Sequence, residues 1–157
     1  MNTIKDFYSR QRQKFFSYLV RRSGNYDQAC DILQESFTRL IEKYPPEHFT
    51  PQLLFTIGRN LIYDSLRRKK DNSSLSDAKE HSAGDPNHAL MVRDEYRRVL
   101  AAMKLLEEDE RDLISLVVSS GLSYREVADV TGISEANVKV KIHRARKKLR
   151  NLMGTER

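Results

Sequence analysis

The feature that most restricts this chain is a polar interruption near its middle. Residues 71–88 read DNSSLSDAKEHSAGDPNH, in which Leu75 is the only sizeable aliphatic side chain. Such a segment cannot bury enough apolar surface to offset the entropy of ordering it, so it is expected to be a flexible linker. Both flanks carry helical periodicity, no internal repeat is visible, and 4 Pro and 6 Gly in 157 residues suit long helices better than a turn-rich β fold. The expected fold is all-α: two small helical domains, residues 1–70 and 89–157, joined by the linker 71–88.

In the first domain Phe7, Phe15, Tyr18 and Leu19 recur at helical spacing between Ile4 and Arg22, and Gly24-Asn25 breaks that helix. A second helix, from about Tyr26 to Tyr44, has the apolar stripe Ala29, Ile32, Leu33, Phe37, Leu40 and Ile41, and Pro45-Pro46 stops it. Thr50 is placed to cap a third helix whose first turn accepts Pro51. Its buried face is read as Leu54, Ile57, Leu61, Ile62 and Leu66, and it ends in the basic run Arg67 to Lys70.

The second domain opens with helices expected near Asn87–Leu106 (Leu90, Val99, Leu100, Met103, Leu106) and Asp109–Ser120 (Leu113, Ile114, Leu116, Val117), the latter ended by Gly121. The acidic run Glu107 to Glu110 suits a helix N-terminus. Ser123-Tyr124-Arg125-Glu126 then forms a capping box, Gly132 supplies a left-handed turn, and Ser134 caps a last helix. Small Ala128 permits close approach, while Val127, Ile133 and Val138 fill the wedge. This is the spacing of a helix-turn-helix whose second helix enters the major groove. Along that helix Val138, Ile142, Ala145, Leu149 and Leu152 step 4-3-4-3 and are expected to be buried. Between Ala136 and Arg150 stand seven cations (Lys139, Lys141, Arg144, Arg146, Lys147, Lys148, Arg150) and no acid. Uncompensated, they would repel one another unless a polyanion faced them.

Other chemistries find little here. Cys30, the single cysteine, excludes an internal disulfide framework and a Cys-rich zinc site. On an apolar helix face it reads as a small buried residue before a redox sensor. His48, His81, His88 and His143 are scattered without metal-ligand spacing, and no phosphate loop, nucleophile elbow or paired-carboxylate arrangement stands out. No cofactor, metal or enzymatic activity is expected. The N-terminus lacks the apolar run of a signal peptide, and no stretch approaches the roughly 18 apolar residues of a membrane span. The expectation is a cytoplasmic protein without membrane insertion. A formal charge of +6 is consistent with an anionic partner.

Two motifs now point one way. Gly121-Leu122-Ser123-Tyr124-Arg125-Glu126-Val127-Ala128, Gly132-Ile133-Ser134-Glu135 and His143 to Arg150 resemble region 4 of sigma factors. Asp27 to Phe37 resembles the polymerase-clamp helix of region 2, and Ile57 to Arg68 its −10 element helix. Both modules, in order and with no large domain between, resemble the extracytoplasmic-function (ECF) sigma factors of the sigma-70 superfamily, over nearly the whole chain except the linker. The resemblance implies a region 2 bundle of three to four helices and a region 4 helix-turn-helix. It also implies core RNA polymerase (clamp and flap) and promoter DNA as partners, and an anti-sigma factor as inhibitor. Three positions depart from the family pattern: Cys30 stands where an acid is usual, Leu106-Glu107 where Leu-Pro is, and Ala136-Asn137 where Gly-Thr is.

On this resemblance Asp31, Leu33, Gln34, Glu35 and Phe37 face polymerase, although Leu33 and Phe37 serve equally as core. Tyr44, His48 and Phe49 lie at the loop that captures an extruded base, with Phe49 equally a staple on its own helix. Arg59, Asn60, Tyr63, Arg67 and Arg68 follow the −10 duplex. Asn137, Lys141 and Arg144 are placed near base edges and Val140 near a thymine methyl. Ser134 belongs to the same interface, and Tyr124, Arg125, Lys139, Arg146 and Lys147 hold phosphates, with Tyr124 equally a cover for the helix junction. Two tethered readers need not bind tightly alone. The alternative is a free-standing helix-turn-helix regulator that does not bind the clamp.

Overall fold

The computed structural model describes residues 3–71 and 94–154, and every regular element among them is helical. Helix α1 (Thr3–Ser23) ends where Gly24 takes a φ of +69°, a left-handed conformation that costs glycine nothing. Asn25 then caps α2 (Tyr26–Lys43), its side chain accepting from the Gln28 N–H at 2.9 Å. The expected loop after Pro45 contains one 3-10 turn, Pro46–His48. Thr50 Oγ1 accepts from the Leu53 N–H at 3.1 Å and Pro51 opens α3 (Pro51–Asp71). Asp71, read as the first linker residue, is therefore the last residue of α3. The rest of the linker, with His81 and His88, lies outside the described residues, as do Leu90 and the start of the helix expected near Asn87.

The first three helices close over an aromatic centre. Phe15 meets Phe37 and Phe55 edge-on, with centroids 5.9 and 5.1 Å away, and Phe55 also contacts Tyr18 at 5.5 Å. Phe55 is fully buried, although the periodicity of α3 did not single it out. Gly58 makes this packing possible, because a Cβ there would stand 2.5 Å from Phe15 Cζ. Ile41, counted in the α2 stripe, is instead 46% exposed. It lies about 100° around the helix from buried Leu40, off the buried stripe of Ala29, Ile32, Phe37 and Leu40.

The second domain comprises α4 (Asp94–Met103), α5 (Glu108–Ser119), α6 (Tyr124–Thr131) and α7 (Glu135–Met153). The Glu110 carboxylate accepts from the Glu107 N–H at 3.1 Å and fixes the start of α5. Ser123 and Glu126 complete the expected capping box at 3.1 and 2.8 Å, and Gly132 turns with φ +81°. Val127 and Val138 are fully buried between α6 and α7, with Ile133 packed at their side. Along α7, Val138, Ile142 and Ala145 are buried and Leu149 is half-buried, but Leu152 is 42% exposed, against expectation. The last turn of α7 outruns the helices that cover its earlier turns.

The two domains pack on each other, α5 along α1 and α6 against α3. As a result all six residues from Arg111 to Leu116 are buried, because one face of α5 meets its own domain and the other meets α1.

The Gly58 contact sets a test. Alanine gains about 1 kcal/mol of helix propensity, but overpacking a rigid aromatic centre costs about 1–3 kcal/mol. Gly58→Ala should therefore lower the thermal midpoint, by about 2–4 °C for each net kcal/mol lost. Phe15→Leu in the same chain should cost less than the sum of the single changes, measured by calorimetry.

Candidate nucleic-acid interface

The candidate interface begins with helix α7. Ser134 spends its hydroxyl on the helix start, accepting from the Asn137 N–H at 3.1 Å. With Val138, Ile142 and Ala145 inward, the opposite face presents Ala136, Val140, His143, Arg144 and Lys147, all exposed. Val140 is a β-branched side chain 45% exposed in the middle of that polar face, where burial against its own protein has not claimed it. Asn137, Lys139 and Arg146 flank it, exposed. Arg125 at the start of α6 is exposed, while the Tyr124 ring packs partly against the core and so covers the helix junction as well.

The cations of α7 are not all uncompensated. Asp109 accepts from Lys141 Nζ at 3.3 Å, and the Glu110 carboxylate receives Lys148 Nζ at 2.9 and 3.0 Å. The expectation of seven free charges is corrected to this extent: the acidic first turn of α5, distant in sequence, lies beside the α7 edge that carries Lys141 and Lys148. The Lys141–Asp109 pair is exposed on both sides and contributes at most about 1 kcal/mol, whereas Glu110 is half-buried. Lys141 thus sits on the flank of the exposed α7 face rather than at its centre.

In the first domain, residues expected to follow one duplex are spread around α3. Asn60 and Arg67 point outward, Arg67 paired with Asp64. Arg68 lies about half a turn of the helix away from Arg59 and Tyr63. It lines a groove with Leu61, Asp64 and Ser65 of α3 and Gln28, Asp31, Ile32, Glu35 and Arg39 of α2. That groove gathers Asp31 and Glu35 of the expected polymerase set, with Gln34 exposed nearby. Phe37 is 6% exposed and belongs to the core, and Leu33 packs partly against it. Tyr44 and His48 are exposed around the α2–α3 loop. Phe49 is half-buried, its ring 5.4 Å from Phe7, so it packs against α1.

Arg59 and Tyr63 face the second domain. Arg59 Nε donates to Asp112 Oδ2 at 2.6 Å, and the Tyr63 ring lies between two guanidinium groups, 4.8 Å from Arg59 and 5.0 Å from Arg22. The other Asp112 oxygen receives the Tyr18 hydroxyl at 2.6 Å and Arg22 Nε at 3.1 Å. Arg22 also reaches Glu108 at 2.8 Å, and Arg21 donates to Ser119 Oγ at 2.8 Å. This cluster was invisible to sequence reading, which assigned no role to Tyr18 beyond core and none to Asp112 or Arg22. Burial alone would lower Arg22 and Arg59, but the Asp112 carboxylate together with Tyr18 and Tyr63 outweighs it and holds both above the usual arginine range. Arg111, buried beside Arg22 without a comparable acid, is lowered. Burial and then the Asp112 charge push the Tyr18 phenol well above its ordinary value of 10.0. Cys30 is half-buried, and burial raises its thiol pKa, which disfavours the reactive thiolate. Among the described residues no grouping has the makings of a metal site, and no helix is long and apolar enough to cross a membrane.

The geometry defines a two-part helical protein of the DNA-binding kind: a helix-turn-helix with an exposed basic face, packed on a second bundle with its own polar groove. Comparison with known proteins agrees. The family model for sigma-70 region 2 matches residues 2–71 and that for sigma-70 region 4 matches residues 96–149. The chain is 34% identical to the ECF RNA polymerase sigma factor EcfG of Rhodopseudomonas palustris over 143 residues, 87% of this chain and 77% of the relative. It is 29% identical to the ECF sigma factor SigM of Bacillus subtilis, over 96% and 94% of the two chains. The fold matches the sigma factor RpoE of Bartonella quintana, solved with the anti-sigma factor NepR, with a TM-score of 0.78, 25% identity and coverage of 98% and 99%. CnrH, solved with the cytosolic domain of CnrY, shares the fold at a TM-score of 0.71, over 98% of this chain and 89% of CnrH, with 22% identity. This chain belongs to the ECF sigma factors. It binds core RNA polymerase and directs it to promoters for transcription initiation.

The raised Tyr18 pKa has a pH consequence. Folding favours the protonated phenol, so its stabilisation is whole below about pH 10 and is lost as pH rises through the folded-state value. A near-ultraviolet alkaline titration should show a late tyrosinate step that coincides with loss of structure and is absent from Tyr18→Phe.

Proposed function

We propose that the chain is a non-enzymatic, cytoplasmic initiation factor whose exposed α7 face reads the −35 element. The observation that carries this reading is Val140, Arg144 and Lys147 on one exposed face, opposite a fully buried seam. Asn137 and Arg144 reach base edges and Val140 a thymine methyl. Lys139, Arg146, Lys147 and Arg125 hold phosphates, and Lys141 joins them once DNA displaces Asp109. The first domain (1–70) reads the −10 element through Tyr44, His48 and Phe49 at the loop and through Asn60, Arg59, Tyr63 and Arg67. The α2–α3 groove, with Asp31, Gln34, Glu35 and Arg68, takes the polymerase clamp. The polymerase flap engages the second domain (89–157). An anti-sigma factor holds the protein inactive; two of the solved relatives are complexes, one with the anti-sigma factor NepR and one with the cytosolic domain of CnrY.

Run-off transcription with purified core polymerase over a promoter library tests the reading. The wild-type chain should select a bipartite sequence. Arg144→Ala should lose about 1–3 kcal/mol at one or two −35 positions and relax selection there. Lys147→Ala should weaken all sequences alike and reduce the salt slope by about 1. A chain that fails to associate with core polymerase would leave only a free-standing helix-turn-helix regulator.

A further inference from the structure

Two cations of α7 are paired with the acidic first turn of α5, but the two pairs are built differently. We propose that Asp109 is a resident stand-in for a DNA phosphate: it competes with DNA for Lys141 and so holds down the sequence-independent affinity of α7.

Glu110 has structural duties. Its half-buried carboxylate receives Lys148 Nζ at both oxygens, 2.9 and 3.0 Å away, and accepts from the Glu107 N–H at 3.1 Å to fix the start of α5. A phosphate that drew Lys148 away would leave this acid part-buried without its cation, so the pair ties α5 to α7. Asp109 is different. Its side chain is 59% exposed and that of Lys141 39%, and they meet at 3.3 Å. Both charges stay hydrated, so little desolvation is at stake when the ammonium changes partner. Position singles out the same pair. Lys141 follows Val140 directly and precedes Arg144 by three residues, which sets it one helical step from the exposed face of α7. Glu108 is turned to Arg22 and Glu110 to Lys148, so of this acidic turn it is Asp109 that meets Lys141. A phosphate brought to Lys141 finds a carboxylate already there, and DNA must displace that carboxylate or bear its repulsion. Either way affinity falls without reference to sequence, because no base is touched. Selection by Asn137, Val140 and Arg144 is left intact, while binding to every duplex is lowered alike, so fewer chains are held on DNA outside promoters. Asp109 is thus a positioning residue that acts through Lys141. The inference rests on the assignment of α7 to DNA made above.

The test uses the full chain without polymerase. Fluorescence anisotropy across a salt series reads binding to two labelled duplexes, one with the −35 sequence selected in the transcription assay and one of random sequence. Asp109→Asn should tighten both by the same factor, about two- to five-fold at low salt. It should also steepen the salt dependence by about one counterion, as Lys141 becomes free for phosphate. Asp109→Glu should restore wild-type binding. In a chain that also carries Lys141→Gln, the gain from Asp109→Asn should disappear, because the two residues act through one contact. Circular dichroism checks that α5 survives, since an acid in its first turn favours the helix start. If Asp109→Asn loses helix, Asp109→Ser takes its place, serine being well accepted near a helix start. A folded Asp109→Asn chain that binds both duplexes like wild type, or one that keeps its full gain beside Lys141→Gln, overturns the proposal. Arg144→Ala separates the two levels. If it weakens binding while Asp109→Asn changes nothing, the counterweight alone falls. If Arg144→Ala and Lys147→Ala both bind like wild type, the assignment of α7 to DNA falls and the counterweight with it.

Discussion

The arrangement of this molecule depends on one carboxylate. Asp112 accepts from a phenol and two arginines, all contributed by the opposite domain, at 2.6 to 3.1 Å. A buried ion pair is a poor source of net stability, because desolvating both charges cancels much of their attraction. Removing one partner, however, leaves the other uncompensated at a cost of about 3–5 kcal/mol. Such a cluster is thus weak as cement and strong as a condition. It tolerates the packed state in which all its members are present and the separated state in which water replaces them, and it penalises what lies between.

That condition bears on function through geometry. The helix that carries the domain contact, α5, also supplies Asp109 and Glu110 to the edge of the recognition helix. Its acidic first turn therefore serves three purposes: it favours the helix start, it occupies two cations of α7, and through Glu108 it reaches Arg22. The exposed face of α7 is left to Val140, Arg144 and Lys147. On α3 the same logic separates residues that are close in sequence. Arg68 turns to the α2 groove and Arg59 to the second domain, because a helix rotates about 100° per residue and no single partner can meet both.

The local features were readable from sequence because local rules fix them. Thr50-Pro51, Ser123 to Glu126, Gly132 and Ser134 each satisfy or terminate backbone hydrogen bonds within a few residues, and each does so here. The seam Val138, Ile142 and Ala145 follows from the helical period alone. Misreadings cluster where a neighbour, not the helix itself, decides exposure. Ile41 and Leu152 continue apolar stripes yet stay exposed, and Phe55 is buried because α1 brings Phe15 and Tyr18 against it.

What the sequence alone determined was the all-helical class, the helix-turn-helix and the two modules, since capping, periodicity and motif spacing are properties of short contiguous segments. Only the tertiary structure decided that Asp112, an unremarked acid on an ordinary amphipathic helix, would sit between Tyr18, Arg22 and Arg59. Those contacts span 53 to 94 residues of chain. A polar residue gives no periodic signal that it will be buried, because its burial is set by the charge of a distant surface rather than by its own hydrophobicity.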